Sequence, residues 1–498
     1  MLNLLHLHTV NQIPLQLFNS LTRKLETFQP IHAGEARVYS CGPTVYNYPH
    51  IGNMRAYVFA DILGRALSFK GYRLRHVINI TDVGHLSDDA DAGEDKMEKM
   101  AAECVQSIWH IAKHYTEAFW DDIRALNIRQ PTRWTIASEF IPQMIDFAQS
   151  IAEKHCYALP SGLYFDVSTV ADYGRLARQQ STQGEGRIEP VQGKRNAADF
   201  AIWRRTRPGE KRQMEWDSPW GRGAPGWHLE CSVMGGHVLG FPFDIHTGGI
   251  DHREIHHPNE IAQNQAFCCS ADLAQAANSG ARIWMHNNFL IDRAGKMSKS
   301  AGEFLRLQRL IDLGYHPQAY RMMCLQAHYR SELEFSWDGL GAALVRLKRL
   351  RMGVERLQAL APPAPHWGAE LAPWMDRFDV AISEDLNTAI ALTVLEDMVA
   401  LKAADPGEKL AAIVAMDAVL GLDVCGLDRA ALRIRPRTAN IGEQDIEAML
   451  LRRHQARADK DFAAADRLRQ ALGEQGVEVM DGDALAWEWR LDPSPPAP

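Results

Sequence analysis

The sequence predicts an α/β fold in which a parallel sheet is split by an insertion and is followed by a helical bundle and a small C-terminal module. The first observation is a strand, a helix and a second strand in direct succession, in the stretches ARVYSCGP, MRAYVFADILGRALSFKGY and RLRHVINITD. This order is typical of a βαβ unit, whose two strands lie parallel in one sheet. The second observation is that strand patterns return at PFDIHTGGID and RIWMHNNFLI. The third is the helical periodicity that dominates beyond residue 304.

The first helix is predicted from a single apolar face and ends at Gly71. That face consists of Val58, Phe59, Ile62, Leu63, Ala66 and Leu67. Residues 126–222 mix short helical patterns with turn-rich stretches such as STQGEGRIEP. This mixture indicates an insertion between the two halves of the sheet.

Amphipathic helices are predicted in LVRLKRLRMGVERLQAL and LNTAIALTVLEDMVALKAA, with a proline-rich loop between them at 359–374. A last helix pair with the short strand VEVMDG forms the C-terminal module, and the tail LDPSPPAP is expected to be disordered. These patterns divide the chain into six ranges: a first half of the catalytic sheet (1–125), the insertion (126–222), the second half (223–280), a connecting domain (281–340), the helical bundle (341–439) and the C-terminal module (440–498).

Composition excludes several classes of protein. The 498 residues are 46% hydrophobic and 23% charged, as in ordinary globular enzymes, and no apolar run is long enough to span a membrane. The net charge of −8 argues against a protein that coats nucleic acid through its overall charge, although a local basic surface remains compatible with it. The eight cysteines form no CxxC motif and the first residues lack a basic segment, so we expect a reducing, cytoplasmic location.

The tetrapeptide HIGN at 50–53 lies where the first strand turns into the first helix. A helix N-terminus offers unpaired N–H groups to an anion, and Gly52 lets the backbone approach a ligand closely. His50 is able to donate a hydrogen bond to a phosphate in the transition state of its transfer. A four-residue match also arises by chance, and a lone histidine is more often structural. HIGN alone therefore leaves both interpretations open.

A second phosphate-facing signal is KMSKS at 296–300. Lys296 and Lys299 follow a glycine on a loop, where they are able to neutralise a departing pyrophosphate. Most short lysine clusters are solvated basic loops, but five matching residues are far more specific than four. The two motifs together strongly indicate chemistry on a nucleoside triphosphate.

A candidate metal site combines Cys41, at the end of the first strand, with Cys231, His256 and Glu260. The spacing of the last two is that of one helical turn, and two thiolates, an imidazole and a carboxylate are suitable ligands for zinc. Pro258 favours the first turn of a helix and loosens this argument, because His256 then lies near the helix start. From spacing alone, two buried cysteines and a structural histidine remain the simpler interpretation.

The paired HIGN and KMSKS motifs resemble the signatures of class I aminoacyl-tRNA synthetases. The surrounding stretches CGPTVYNYPHIGN, NITDVGHLSDDADAGEDKMEK, PGWHLECSVMGG and HHPNEIAQ are similar to the cysteinyl-tRNA synthetase family. Further similarity runs from LFNSLTRKLETF through AHYRSELEFSW to KDFAAADRLR and covers most of the chain. The resemblance implies that the sheet is Rossmann-like and that the last module reads the anticodon of a tRNA.

The resemblance also assigns roles to single residues. Cys41, Cys231, His256 and Glu260 match the zinc ligands of the family, whereas His252 and His257 do not fall on matching positions. One zinc ion per chain would select cysteine over serine, because a soft thiolate binds zinc far better than a neutral hydroxyl. The cysteine-binding residues are then Gly42, Thr44, Thr81 and Trp227, although a core tryptophan remains an alternative for the last. The ATP-binding residues are His50, Gly52, Asn53, Gly249, Asp251, Met297 and Lys299. The catalytic residues are His50, Asn53, Lys296 and Lys299.

The implied reaction uses Mg2+ with ATP to convert L-cysteine to cysteinyl-adenylate, and then transfers the cysteine to the 3' end of tRNA(Cys). No membrane contact and no obligatory protein partner are expected. Two basic sets are candidates for the tRNA surface, unless they are ordinary solvated helix faces. They are Arg346, Lys348, Arg349, Arg351 and Arg356 in the bundle, and Arg433, Arg435, Arg437, Arg452, Arg453 and Arg457 near the C-terminal module.

Two other functions stay open at this point. A cysteine ligase that acts on a small amine would share the adenylation chemistry, but the module after residue 440 argues against it. A catalytically silent tRNA-binding paralogue is disfavoured by the intact motifs. Its one supporting feature is Glu303, which follows KMSKS where the family has a Gly-Asn pair and puts an acid near the triphosphate.

Overall fold

The computed structural model describes residues 13–83, 107–177, 192–210, 212–268, 279–292, 295–296 and 305–491. Met297, Lys299 and Glu303 lie outside the described residues, as do residues 492–498 of the tail predicted to be disordered. Within these ranges, no helix is both long enough and apolar enough to cross a bilayer.

Strands and helices alternate in the first part of the chain, and helices prevail in the second. The strands are β1 (Gln16–Asn19), β2 (Lys24–Thr27), β3 (Glu35–Ser40), β4 (Arg73–Ile80), β5 (Arg133–Ile136), β6 (Cys156–Leu159), β7 (Gly162–Phe165), β8 (Phe200–Arg205), β9 (Gly223–Pro225), β10 (Phe243–Gly249), β11 (Ala281–Asn287), β12 (Leu290–Asp292), β13 (Gly295–Lys296), β14 (Leu333–Glu334), β15 (Val477–Val479) and β16 (Trp487–Trp489). The α-helices are α1 (Ile51–Phe69), α2 (Ile108–Ala125), α3 (Ile141–His155), α4 (Trp227–Leu239), α5 (His256–Cys268), α6 (Leu307–Asp312), α7 (Pro317–Leu325), α8 (Trp337–Leu360), α9 (Ala372–Ser383), α10 (Thr388–Ala400), α11 (Pro406–Leu420), α12 (Glu443–Ala458) and α13 (Phe462–Glu474).

The central sheet has the order β11-β10-β3-β4-β5, and all of its neighbouring strands are parallel. This confirms the predicted parallel α/β sheet. The chain leaves β3 towards β4 on one side and leaves β10 towards β11 on the other. In such sheets a crevice opens at the carboxyl ends of the two strands where the winding direction changes. That crevice lies beyond Ser40 and Gly249, so ligands are expected there.

Two strands of this sheet lie outside the ranges predicted for its two halves. β5 falls within the predicted insertion, and β11 falls within the predicted connecting domain. β5 is only four residues long, and its sequence RWTI is not a continuous apolar run, so periodicity gave no sign of it. The rest of the insertion contributes the antiparallel sheet β6-β7-β8-β9, which leads directly into α4.

The C-terminal module has a small core of its own. Its core side chains come from α12, α13 and the β15-β16 hairpin, and they are Ile446, Leu472, Val477, Val479, Trp487 and Trp489. A three-stranded sheet, β13-β12-β14, contains Lys296 in β13, and its strand β12 contacts α1.

Helix α1 is buried on nearly every side, and not only on its predicted apolar face. Asp61 and Arg65, one turn apart, form an ion pair at 2.7 Å, and Arg321 of α7 bonds the same carboxylate at 2.6 Å. Arg65 also donates to the carbonyl oxygen of Ala418 in α11 at 3.0 Å. This buried cluster fixes the central sheet's first helix to the helical bundle.

We expect Asp61→Asn to destabilise the protein by about 3–5 kcal/mol, because it leaves two buried guanidinium groups without their carboxylate. Burial raises the pKa of Asp61, but attraction by Arg321 and Arg65 outweighs it and lowers the pKa overall. The stabilisation is therefore present above the ordinary carboxyl pKa of about 4 and is lost as the pH falls through the lowered folded-state pKa. Urea unfolding as a function of pH measures both effects.

The matched control is Asp397→Asn, whose partner Arg377 lies with it in a largely exposed pair. We expect this change to cost less than about 1 kcal/mol. Equal losses for the two variants would contradict the buried-pair explanation.

Candidate active site and metal cluster

The predicted metal donors meet at the crevice between β3 and β10. The backbone N–H of Cys41 donates to the carbonyl oxygen of Thr247 at 3.0 Å, which continues the strand pairing up to the cysteine. One donor atom each from Cys41, Cys231, His256 and Glu260 lie within 4.8 Å of one another. The side chains are buried or nearly so, and they come from β3, α4 and α5.

His256 is the first residue of α5, so the helical spacing to Glu260 applies without the doubt that Pro258 raised. The two side chains face the same way, with His256 Nε2 3.1 Å from Glu260 Oε1. Proline is tolerated here because the first turn of a helix lacks intrahelical partners for its N–H groups.

Two further histidines hold the donors in place. The second carboxylate oxygen of Glu260 bonds His246 Nε2 at 2.9 Å, and His256 Nδ1 lies 3.0 Å from His228 Nδ1. Glu260 Oε1 is fully buried, and its 3.1 Å contact with His256 Nε2 lacks the geometry of a hydrogen bond. A buried carboxylate oxygen of this kind suits a ligand for a cation. The contacts from His246 and His228 orient the donors, as partner residues do in metal sites.

His246 was not among the predicted site residues, and His257 was judged not to fall on a matching position. His257 Nε2 lies 3.3 Å from Cys41 Sγ, and His246, His257, Cys41 and Glu260 form a second group with donor atoms within 4.8 Å. The two groups share two members, so they describe one cluster rather than two separate sites. The position of His246 in the strand FDIHTGG, two residues after an aspartate, was the only sequence signal for it.

Charge within the cluster also favours a bound cation. A hydrogen bond with Cys41 lowers the pKa of the Cys231 thiol to about 6. Burial raises the pKa of Glu260, but His246 and His256 outweigh it and lower that pKa to about 2. Burial likewise opposes charge on His256, yet Glu260 and Cys231 raise its pKa to about 10. These shifts favour negative charge on Cys231 and Glu260 and positive charge on His256, and a divalent cation would satisfy the same donors.

The residues predicted to bind cysteine lie beside this cluster. Gly42 N–H donates to Asn79 Oδ1 at 2.7 Å, and a Cβ at Gly42 would lie only 1.6 Å from the Asn79 carbonyl oxygen. Only glycine therefore fits after Cys41. Thr44 forms a β-bridge with Thr81, whose hydroxyl donates to the fully buried carboxylate of Glu230 at 2.9 Å. Asn79 and Glu230 fix this corner and were not among the predicted site residues.

Trp227 lies at the start of α4 with its ring against His256, and the ring centroids are 4.5 Å apart. The side chain is only half-buried, unlike a core tryptophan such as Trp203 or Trp284. This position suits the wall of a pocket next to the cluster.

The HIGN residues form the cap of α1. His50 is the N-cap, and its Nδ1 accepts from the Asn53 N–H at 3.1 Å, while Asn53 Oδ1 accepts from the His50 N–H at 3.3 Å. Since Nδ1 accepts, a neutral His50 carries its hydrogen on Nε2. A Cβ at Gly52 would lie 2.9 Å from His50 Nδ1, so the glycine makes room for the folded-back imidazole.

The remaining predicted residues are placed in part. Gly249 is the last residue of β10, and Asp251 follows it as the exposed residue of a half-buried 3-10 turn at the crevice. Lys296 lies in β13, where its backbone pairs with Ile291 of β12. Met297 and Lys299 are outside the described residues, so their predicted contacts stay predictions.

The two basic sets are partly used inside the protein. Arg351 and Arg453 are buried, and Arg346, Lys348 and Arg433 are half-buried. These side chains make contacts within the protein, such as the pairs Arg346–Glu396 and Lys348–Glu488. These contacts argue against a tRNA-binding role for them. The exposed members are Arg349, Arg356, Arg435, Arg437, Arg452 and Arg457.

Comparison with known proteins identifies the family of this chain. Residues 27–344 match the model of the tRNA synthetases class I (C) catalytic domain, and residues 443–490 match the cysteinyl-tRNA ligase anticodon binding domain. The cysteine–tRNA ligase of Novosphingobium aromaticivorans is 74% identical over 479 residues, which are 96% of this chain and 97% of the relative. The corresponding ligase of Zymomonas mobilis is 53% identical over 96% of this chain and 98% of its own length.

Distant solved structures share the fold. A ternary LeuRS–tRNA–LeuAMS complex from Agrobacterium radiobacter has a TM-score of 0.55 at 11% identity and covers 91% of this chain and 95% of that one. Methionyl-tRNA synthetase from Mycobacterium tuberculosis, bound by methionyl-adenylate, has a TM-score of 0.51 at 14% identity and covers 86% of this chain and 96% of that one. The matched domains and the near full-length identity show that this chain is an enzyme of the cysteine–tRNA ligase family of class I aminoacyl-tRNA synthetases.

Proposed function

We propose that this enzyme activates L-cysteine with ATP to give cysteinyl-adenylate and pyrophosphate, and then transfers the cysteine to the 3' end of tRNA(Cys). The carrying observation is the cluster of Cys41, Cys231, His256 and Glu260 at the end of β3, the strand that leads into the capped start of α1. A thiol-selective site would then share the crevice with a phosphate-facing helix N-terminus. No protein nucleophile is needed, because the substrate carboxylate itself attacks the α-phosphate of ATP in line.

His50 and Asn53 would act on the phosphates. With Nδ1 engaged in the helix cap, His50 offers Nε2–H as a donor of fixed direction, which suits charge that develops on the α-phosphate. Gly249 and Asp251 lie at the other side of the crevice, where the ribose of the nucleotide would bind. Lys296, Met297 and Lys299 would contact the triphosphate, and Mg2+ would accompany the ATP.

The four cluster donors would hold one zinc ion, whose Lewis acidity, when it is bound, favours a thiolate over a neutral hydroxyl. Trp227 would close the pocket around the side chain of the bound amino acid. Gly42, Thr44 and Thr81 would meet its backbone groups, since they line the same corner at the end of β3. A packing-based pocket would distinguish cysteine from serine only modestly.

The C-terminal module favours tRNA over a small amine as the acceptor. Its match to the anticodon-binding domain spans residues 443–490, and the exposed Arg435, Arg437 and Arg452 lie in or next to it. Contacts from such residues to the phosphate backbone would give salt-dependent tRNA binding. We also infer a cytoplasmic location, because the six cysteines among the described residues are free.

The first measurement is ATP–pyrophosphate exchange with the purified protein, with cysteine compared with serine. We expect exchange with cysteine, and a preference over serine that exceeds the roughly hundredfold available from packing alone. Charging of tRNA(Cys) under the same conditions then tests the second step. Exchange without charging would favour the small-amine ligase, and tight tRNA binding without exchange would favour the silent paralogue.

We expect Cys231→Ser to lose most of the bound zinc, because a hydroxyl is a poor replacement for a thiolate ligand. Zinc content by mass spectrometry and the rate of cysteine-dependent exchange are measured on the same sample. Cys425→Ser is the matched control, since this half-buried cysteine lies outside the cluster and should keep zinc and activity. Full zinc retention in Cys231→Ser would contradict the assigned ligand set.

A further inference from the structure

Arg55 lies in the second turn of α1, and its side chain reaches across to the three-stranded sheet. Its guanidinium donates to the carbonyl oxygens of Asn288 at 2.9 Å and of Phe289, the two residues just before β12. It also donates to the carbonyl oxygens of Ser331 at 2.6 Å and His328 at 3.3 Å, which precede β14. One side chain therefore holds both chain segments that enter this sheet.

The guanidinium is an unusual choice for this buried place. The residue is only 2% exposed, and among the described residues no carboxylate forms an ion pair with it. Burial without an opposite charge is costly, so the group is retained for its geometry. Only arginine carries five N–H donors in a rigid fork, which matches several carbonyl oxygens at once.

The N-terminal end of α1, where Arg55 lies, also carries His50 and Asn53. The N–H of Ile51 donates to the carbonyl oxygen of Leu305 at 2.9 Å, and the hydroxyl of Tyr320 donates to the carbonyl oxygen of Ile51 at 2.5 Å. The start of α1 is therefore bonded to segments that lie well beyond the central sheet in sequence.

We propose that Arg55 is a positioning residue for the adenylation step. It sets the distance between His50 and Asn53 at the start of α1 and the β12-β13 ladder, on which Lys296 stands. This inference rests on the proposed function, because it assumes that both groups act on the same ATP. A displacement of about 1 Å between such groups is enough to cost roughly a hundredfold in rate.

The test compares Arg55→Lys with Arg65→Lys. Arg65 lies on the same helix, is also buried, and also donates to carbonyl oxygens, those of Ala418 and Asn127. Its contacts are with α11 and the end of α2 instead of the ATP groups. Both changes keep the positive charge and remove the fork, so both should lower the melting temperature.

For Arg55→Lys we expect the maximal rate of ATP–pyrophosphate exchange to fall by roughly tenfold to a hundredfold. The KM for cysteine, the zinc content and the transfer of cysteine from preformed adenylate to tRNA should stay within about twofold, because those steps do not use the β12-β13 ladder. Arg65→Lys should keep the exchange rate within about twofold.

Tyr320→Phe is a milder second variant in case Arg55→Lys does not fold. It removes a separate bond that anchors the same end of α1 to α7, and it should lower the exchange rate by about threefold to tenfold, as expected for one hydrogen bond. The inference is overturned if Arg55→Lys, or Tyr320→Phe where the lysine variant does not fold, exchanges as fast as the unmodified enzyme. It is also overturned if Arg65→Lys loses exchange equally. Failure of the proposed function itself is distinct, since the unmodified enzyme would then show no cysteine-dependent exchange.

Discussion

The parallel pairing of β3 with β10 is the interaction on which the site depends. It brings together two chain segments that are separated by more than two hundred residues, and it ends with the bond from Cys41 to the carbonyl oxygen of Thr247. Because both strands run in the same direction, their carboxyl ends deliver Cys41 and Gly249 to one crevice. The helices that follow these strands, α1 and α5, then add His50 on one side and Glu260 on the other. Without this pair of strands, the cluster of cysteine, histidine and glutamate donors and the capped start of α1 would have no common location.

The sequence predicted those site residues whose side-chain type indicates their chemical role. Cysteine, histidine and glutamate at the matching positions indicated the donor set, and the structure brings those four residues together. It also predicted α1 and the parallel sheet, because apolar periodicity determines both. It placed the ends of the sheet wrongly, since β5 is short and β11 lies at the edge of a different predicted unit.

The contacts that position the site elements could not be predicted from the sequence, and the reason is physical. Arg55 and Arg321 bond backbone carbonyl oxygens, and a carbonyl oxygen belongs to every residue alike. No residue type at position 288 or 420 therefore signals the contact. His246 was missed for a related reason: its partner Glu260 lies on another element, and a single histidine within an apolar strand resembles a structural residue. Such positions become visible only when the three-dimensional arrangement is known.

The cluster donors lie far apart in the amino-acid sequence, and this has a consequence for protein synthesis. Cys41 leaves the ribosome well before Glu260, and at ordinary elongation rates the interval is roughly ten to forty seconds. During that time β3 has no β10 beside it, so one edge of the growing sheet is open to other chains. The complete donor set exists only after β10 has been inserted next to β3. A metal ion bound by all four donors would therefore mark a chain in which β10 has joined β3, before β11 completes the edge of the sheet.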